Sequence, residues 1–289
     1  MNLAKYYTRF LGNGWMINPQ AFTAMLATLI HLRRDEEQAE HPLVRFSPNS
    51  AWGQPPAQAP AQQAPYSLDA AGVATIPIHG TMVMRPDAYE KKYLGMTCVE
   101  EISNAIQRAV NDPKVRALML DFDSPGGSVT GTPELAALVA DSSAVKPFVS
   151  YTDSLQCSAA YWVGSQCSAV LASPSASIGN VGCYMTFLDI SKLLDDMGAK
   201  VEVINNDDSP LKGMGVFGTA LNDGHKAFLQ QSVNDTANAF KQDVSEKRGC
   251  SGEAMNGGWY SGCRAMKLKL ADQLCDRRAA MKTAAQLAA

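Results

Sequence analysis

From about residue 70 onward, short apolar runs alternate with longer stretches of helical period. The runs "GVATIPIHG" (Gly72–Gly80), "VRALMLDFD" (Val115–Asp123), "KPFVSY" (Lys146–Tyr151), "SAVLAS" (Ser168–Ser173) and "KVEVIN" (Lys200–Asn205) are bounded by turn residues. Such runs predict buried strands rather than half-exposed ones. Between them, Cys98 to Val110 places Ile102, Ile106 and Val110 on one helical face. Thr132-Pro133-Glu134 opens a second helix with a capping residue and an early proline. Further helices are predicted from Ser158 onward, from Asp189 to Met197 with Gly198 as its stop, and from Asn222 to about Lys247. Alternation of this kind predicts an α/β fold with a largely parallel sheet. No internal repeat of fixed period is present.

The first fifty residues have a different pattern. Asn18-Pro19 is a cap and first-turn pair, and Phe22, Met25, Leu26, Leu29 and Ile30 follow at helical spacing. The charged run "RRDEEQAE" (Arg33–Glu40) then reads as the solvated end of that helix. Residues 1–52 are therefore expected to form a helical N-terminal extension. "GQPPAQAPAQQAP" (Gly53–Pro65) has no apolar period, so residues 53–66 read as a semi-extended linker and 67–289 as the main domain.

Composition narrows the function classes. Of 289 residues 46% are hydrophobic, enough for a sizeable core, and a formal net charge of -3 gives no field for nucleic acid or anionic membranes. Seven cysteines without a C-x-x-C pair argue against a zinc site and for free thiols in a reducing compartment. No run approaches the roughly 20 apolar residues of a membrane span. The expectation is a cytoplasmic protein with no metal and no cofactor.

Two segments carry candidate chemistry. In "DFDSPGGSV" (Asp121–Val129) a strand runs into Pro125 and then Gly126-Gly127. Paired glycines expose backbone amides that can hold an oxyanion, although Ser-Pro-Gly-Gly is also ordinary turn chemistry. In "CSAAYW" (Cys157–Trp162), Ser158 stands between a strand and a helix start. It can be a nucleophile, with the Ala159 amide aimed at developing charge, or simply a helix cap. Cys157 beside it reads as a small packing residue. A nucleophilic serine needs a base. The four histidines, His31, His41, His79 and His225, have no triad pattern around them. Lys212, in "SPLKGMG", lies among apolar residues that could desolvate an amine, and it could equally be a surface-loop lysine.

Taken in order, "DSPGGSV", "CSAAYW", "ASPSASIGNVG" (Ala172–Gly182) and "SPLKGMG", with a weaker late echo in "GGWYSGCRAMKLKLADQL" (Gly257–Leu274), resemble the S49 serine peptidases. This is the signal peptide peptidase A-like family of the Clp/crotonase group, and the match runs over roughly residues 70 to 280. The resemblance implies a Clp/crotonase-like fold with repeated β-β-α units. It implies a Ser-Lys dyad with Ser158 as nucleophile and Lys212 as base, an oxyanion hole at Gly126, Gly127 and Ala159, and Ser177 orienting the lysine. Substrate would be clamped by β-addition along the strand after Gly126-Gly127 and the strand near Gly179 to Cys183. Ser158-Ala159-Ala160 departs from the more usual small-residue triplet at the nucleophile, and Lys269 and Ala271 depart from the late segment.

The same resemblance implies a homo-oligomer acting on protein or peptide substrates. Without an anchor segment, the chain looks like the bacteriophage branch, the prohead proteases, with capsid, scaffold or portal proteins as partners, in host cytoplasm or inside a procapsid. The alternatives are a host-type cytoplasmic peptidase for signal-peptide remnants, a non-catalytic assembly protein on the same fold, and a thioester enzyme using Asp121 or Asp123 as carboxylate base.

Overall fold

The computed structural model describes residues 14–17 and 65–288. Strand β1 (Gly14–Ile17) lies in the N-terminal part, and the short β2 (Ser67–Leu68) opens the main body. Four turns of chain then repeat one plan, a long strand followed directly by a short one. The first gives β3 (Val73–His79) and β4 (Thr81–Val83), continuing through α1 (Ala88–Leu94) and β5 (Met96–Cys98) to α2 (Val99–Asn111). The second is β6 (Ala117–Asp123), β7 (Gly126–Ser128) and α3 (Thr132–Ser143). The third is β8 (Phe148–Thr152), β9 (Leu155–Cys157) and α4 (Ala159–Ser165). The fourth is β10 (Ala169–Ala172) and β11 (Ser177–Gly179), followed by β12 (Tyr184–Met185), α5 (Ser191–Asp196) and α6 (Asp223–Arg248). The chain ends in β13 (Trp259–Ser261), α7 (Gly262–Lys267), β14 (Gln273–Leu274) and α8 (Arg277–Leu287).

The long strands share one sheet, ordered β14-β10-β8-β6-β3-β2 and parallel from β14 through β3. The short strands form two further sheets, β12-β1-β7-β4-β5 and β13-β11-β9. These are the repeated β-β-α units that the resemblance implies. Both faces of the long-strand sheet are covered, which is why its strands read as unbroken apolar runs. Along β6, Leu118, Leu120 and Phe122 face the main core with α2, α3 and α4, while Ala117 and Met119 face Ala280 and Ala284 of α8.

That alternation puts Asp121 on the α8 face, 3% exposed. Arg277, at the start of α8, donates from Nη1 to its Oδ1 at 2.8 Å and brings Nη2 within 2.6 Å of Oδ2 as an ion pair, and His79 Nε2 stands 3.4 Å from Oδ2. Arg277→Ala strands a buried carboxylate beside one exposed histidine. It is expected to cost about 2–3 kcal/mol, read as a lower urea midpoint with unchanged slope.

Most predicted elements are present, with boundaries moved by a few residues. Thr132 does not cap its helix: Gly131 does, and the Thr132 hydroxyl donates to the Ser128 carbonyl at 2.8 Å. The expected Asp189–Met197 helix is reduced to α5. The expected strand at Lys200–Asn205 is not a strand. Its residues are nearly all exposed, Ile204 at 93%, and among the described residues no strand pairs with it. The helix expected after Asn18-Pro19, and the linker at 53–64, lie outside the described residues. The strand β1 just before them was not expected.

Candidate active site

Ser158 sits where β9 hands over to α4. Its backbone has φ 56° and ψ −121°, one of three non-glycine residues with positive φ among those described. It is 1% exposed. Its hydroxyl caps nothing: no side-chain hydrogen bond closes the start of α4, and none reaches another described residue. A serine chosen for capping would sit in extended backbone and take an amide of the first turn. A strained serine at a strand-to-helix corner, with no hydrogen bond to a described residue, is not serving as a cap. The first amides of α4, beginning with Ala159, have no intrahelical acceptor.

The Ser-Pro-Gly-Gly turn is laced to this corner. The Ser124 amide donates to the Leu155 carbonyl at 2.9 Å, the Cys157 amide to the Ser124 carbonyl at 3.2 Å, and the Ser158 amide to the Gly179 carbonyl at 2.7 Å. Ser124 is fully buried; its hydroxyl donates to the Gly80 carbonyl at 2.7 Å and accepts from the Gly126 amide at 3.3 Å. Gly126 has φ 107°, open only to glycine at ordinary cost. Gly127 is required for a second reason: a Cβ there would lie 1.9 Å from the Met82 carbonyl oxygen, because β4 runs alongside. The predicted residues Ser158, Gly126, Gly127 and Ala159 are thus brought together. α4 is itself held by Trp162, whose indole nitrogen donates to Asp243 Oδ2 of α6 at 2.7 Å and whose ring stacks on Phe240 with centroids 4.7 Å apart.

The remaining predicted residues lie differently. Ser177 is half-buried on β11; its carbonyl accepts from the Cys157 thiol at 3.4 Å, and its hydroxyl bonds no described residue. Lys212 is exposed on the irregular segment 199–221, where it lines a cavity of about 270 Å³ with Asn205 and His225. Its ammonium makes no hydrogen bond or ion pair with a described residue, Ser158 included. Burial pushes the Cys157 thiol up to about 12, so it stays protonated and unreactive. His225 faces the Pro210 carbonyl at 3.4 Å, and His31 and His41 lie outside the described residues. Asp121 is engaged by Arg277, which leaves it no role as a free base.

Sequence reasoning missed Ser124, whose place in "SPGG" was visible but whose hydroxyl bonds were not. It also missed Met82, which constrains Gly127 by close approach, and the Trp162–Asp243 hydrogen bond that anchors α4. β11 (Ser177–Gly179) is paired on both sides, with β9 and β13, and Tyr184–Met185, just after the Gly179 to Cys183 run, is the edge that pairs with β1.

The profile of Peptidase family S49 matches residues 140–289, just over half of the chain. The chain belongs to peptidase family S49. That match spans Ser158, Ser177 and Lys212, while the glycine pair falls before it. Among curated relatives, capsid assembly protease C of Escherichia phage lambda is 31% identical over 206 residues, covering 70% of this chain and 46% of its own. Head-tail preconnector protein GP5 of Enterobacteria phage P21 is 28% identical over 206 residues, 70% of this chain and 40% of its own. Protease 4 of Salmonella typhi is 29% identical over 191 residues, 64% and 30% of the two chains. The chain spans less than half the length of these relatives. Among solved structures, a ClpP1 mutant from Listeria monocytogenes aligns with a TM-score of 0.43 and 12% identity over 72% of this chain and 94% of its own. Among the described residues no helix is long and apolar enough to cross a membrane.

Proposed function

We propose that this S49 chain is a serine endopeptidase that processes capsid, scaffold or portal proteins during bacteriophage head maturation, in host cytoplasm or within the procapsid. Ser158 is its nucleophile, the amides of Gly127 and Ala159 with Gly126 beside them receive the oxyanion, and Lys212 is the base with Ser177 orienting it. The observation that carries the reading is the strained, buried and unpaired Ser158 at a helix start laced to a glycine pair. The phage assignment follows the names of the two phage relatives.

The chemistry runs in two steps. The Ser158 hydroxyl gives its proton to neutral Lys212 as its oxygen bonds the substrate carbonyl carbon. The tetrahedral oxyanion is held by the two amides, and the lysine proton passes to the leaving amine as the peptide bond breaks. Water, losing a proton to the same lysine, then releases the acyl group and restores the serine.

A lysine serves as a base where burial disfavours its ammonium. Lys212 is exposed in the single chain, so something must cover it. The segment around it is rich in exposed apolar side chains, including Met197 (73% exposed), Ile204 and Val216. Such a surface calls for a partner, and a neighbouring copy in a homo-oligomer is the partner the reading assigns. The test is to mix separately purified Ser158→Ala and Lys212→Ala chains and follow cleavage of an unfolded protein by mass spectrometry. Cleavage by wild type, none by either variant alone, and partial recovery on mixing supports a dyad completed between copies. Cleavage undiminished in both variants would sink the dyad.

A further inference from the structure

The strand β1 lies in a slot between two edges of the main body. It pairs antiparallel with β7 on one side, with Trp15 opposite Ser128, Met16 opposite Gly127 and Ile17 opposite Gly126. On the other side it pairs antiparallel with β12, with Gly14 opposite Met185 and Trp15 opposite Tyr184. In the order β12-β1-β7-β4-β5, β7 and β12 are not hydrogen-bonded neighbours, and among the described residues β1 pairs with both. Without it the two edges would leave a gap one strand wide, lined on both sides by backbone donors and acceptors. A gap of that kind accepts an extended peptide by β-addition.

The register gives the slot its meaning. As β1 runs from Gly14 to Ile17 it moves along β7 toward Gly126, the end bonded through Ser124 to the strand that precedes Ser158. The segment therefore leads its C-terminal end to the glycine pair beside the nucleophile. An incoming protein substrate needs the same two edges, so both cannot be seated together.

We propose that Gly14–Ile17 is a tethered occupant of the substrate slot, which keeps the peptidase latent until the segment is displaced. The inference rests on the peptidase reading above. Because the segment is joined to the domain, it competes at a fixed local concentration, and substrate binds only the fraction of molecules in which the slot is open. A protease that must wait for its assembly gains from this arrangement: a substrate held at high local concentration displaces the strand, while passing proteins do not.

The experiment uses the full chain and Met16→Pro, which removes a backbone donor from the middle of β1 and is poorly tolerated in a strand paired on both sides. Met16→Ala, which keeps the donor, is the control. Three readouts are taken: amide hydrogen exchange of Gly126–Ser128 and Tyr184–Met185, labelling of Ser158 by a fluorophosphonate, and cleavage of an internally quenched peptide. Met16→Pro should exchange faster at both edges, label faster and raise kcat/KM roughly tenfold, mainly through a lower KM; Met16→Ala should match wild type. Equal labelling and cleavage in all three chains, with labelling present, overturns the latency and leaves the peptidase reading standing. No labelling and no cleavage in any chain overturns both. If Met16→Pro does not fold, a synthetic peptide of residues 11–20 added to wild type decides. It should slow labelling by competing for the open fraction, and labelling unchanged at a saturating dose counts against the proposal.

Discussion

Ser158→Ala is expected to lower peptide cleavage by roughly 10⁴-fold while leaving the melting temperature equal or slightly raised. The two halves have separate causes. The rate falls because the attacking oxygen is gone, and the amides of Gly127 and Ala159 alone give only residual catalysis. Stability holds because the Ser158 hydroxyl bonds no described residue, so alanine loses no partner. Alanine also keeps the Cβ, so the strain at φ 56° is the same in both chains. Lys212→Ala should fall as far, and the double variant no further, since nucleophile and base act as one unit. Rates from quenched-peptide hydrolysis and melting by calorimetry check both halves. A serine variant that melts several degrees lower would mean that Ser158 is a structural residue.

Gly127→Ala should damage stability and rate together. Its Cβ would lie 1.9 Å from the Met82 carbonyl oxygen, and backbone lies on both sides of the clash. β4 and β7 must separate by about an ångström, which is expected to cost about 3 kcal/mol. The same movement draws the Gly127 amide away from the oxyanion, expected to cost about 10² to 10³ in kcat. Urea denaturation and kcat measured on the surviving folded fraction separate the two effects. A folded variant of wild-type stability would show that β7 yields more easily than the close approach of Met82 implies.

What the sequence made legible follows from range. The buried strands β3, β6, β8 and β10 were readable because a strand covered on both faces is apolar throughout, whatever covers it. α2 and α6 were readable from period and from ends, Asn222 capping by accepting from the His225 amide. The short strands β4, β7, β9 and β11 were not, since two- and three-residue pairings carry too little pattern to stand out from turns. Lys200–Asn205 shows the converse. Its alternating valines carry strand character, and among the described residues no strand pairs with them.

At the candidate site, Ser158, Gly126, Gly127 and Ala159 were singled out from runs that are each also ordinary turn or cap chemistry, and the order of those runs, resembling the S49 peptidases, joined them. Their meeting depends on bonds from Ser124 to Leu155 and Cys157, across a whole β-β-α turn, and no local run encodes that. Lys212 was singled out from apolar neighbours. Leu211, Val216 and Phe217 are indeed around it, but in the single chain they face outward with it. β1 was hidden for another reason. "GWMI" has no alternation, and its strand state comes from the two edges that receive it.

The cover on the second face of the long-strand sheet has a consequence for how the chain is made. Val73, Ala117, Met119, Val149 and Tyr151 are packed under Ala280 and Ala284 of α8. The strands bearing those five residues end at Thr152, and α8 begins at Arg277. At about 5–20 residues per second, a ribosome takes on the order of ten seconds to pass from one to the other. During that interval the nascent sheet carries a bare apolar face and a buried-type aspartate whose arginine has not been synthesised. Holdase chaperones that bind such faces during translation would therefore meet this chain in mid-synthesis, and release from them would coincide with emergence of α8.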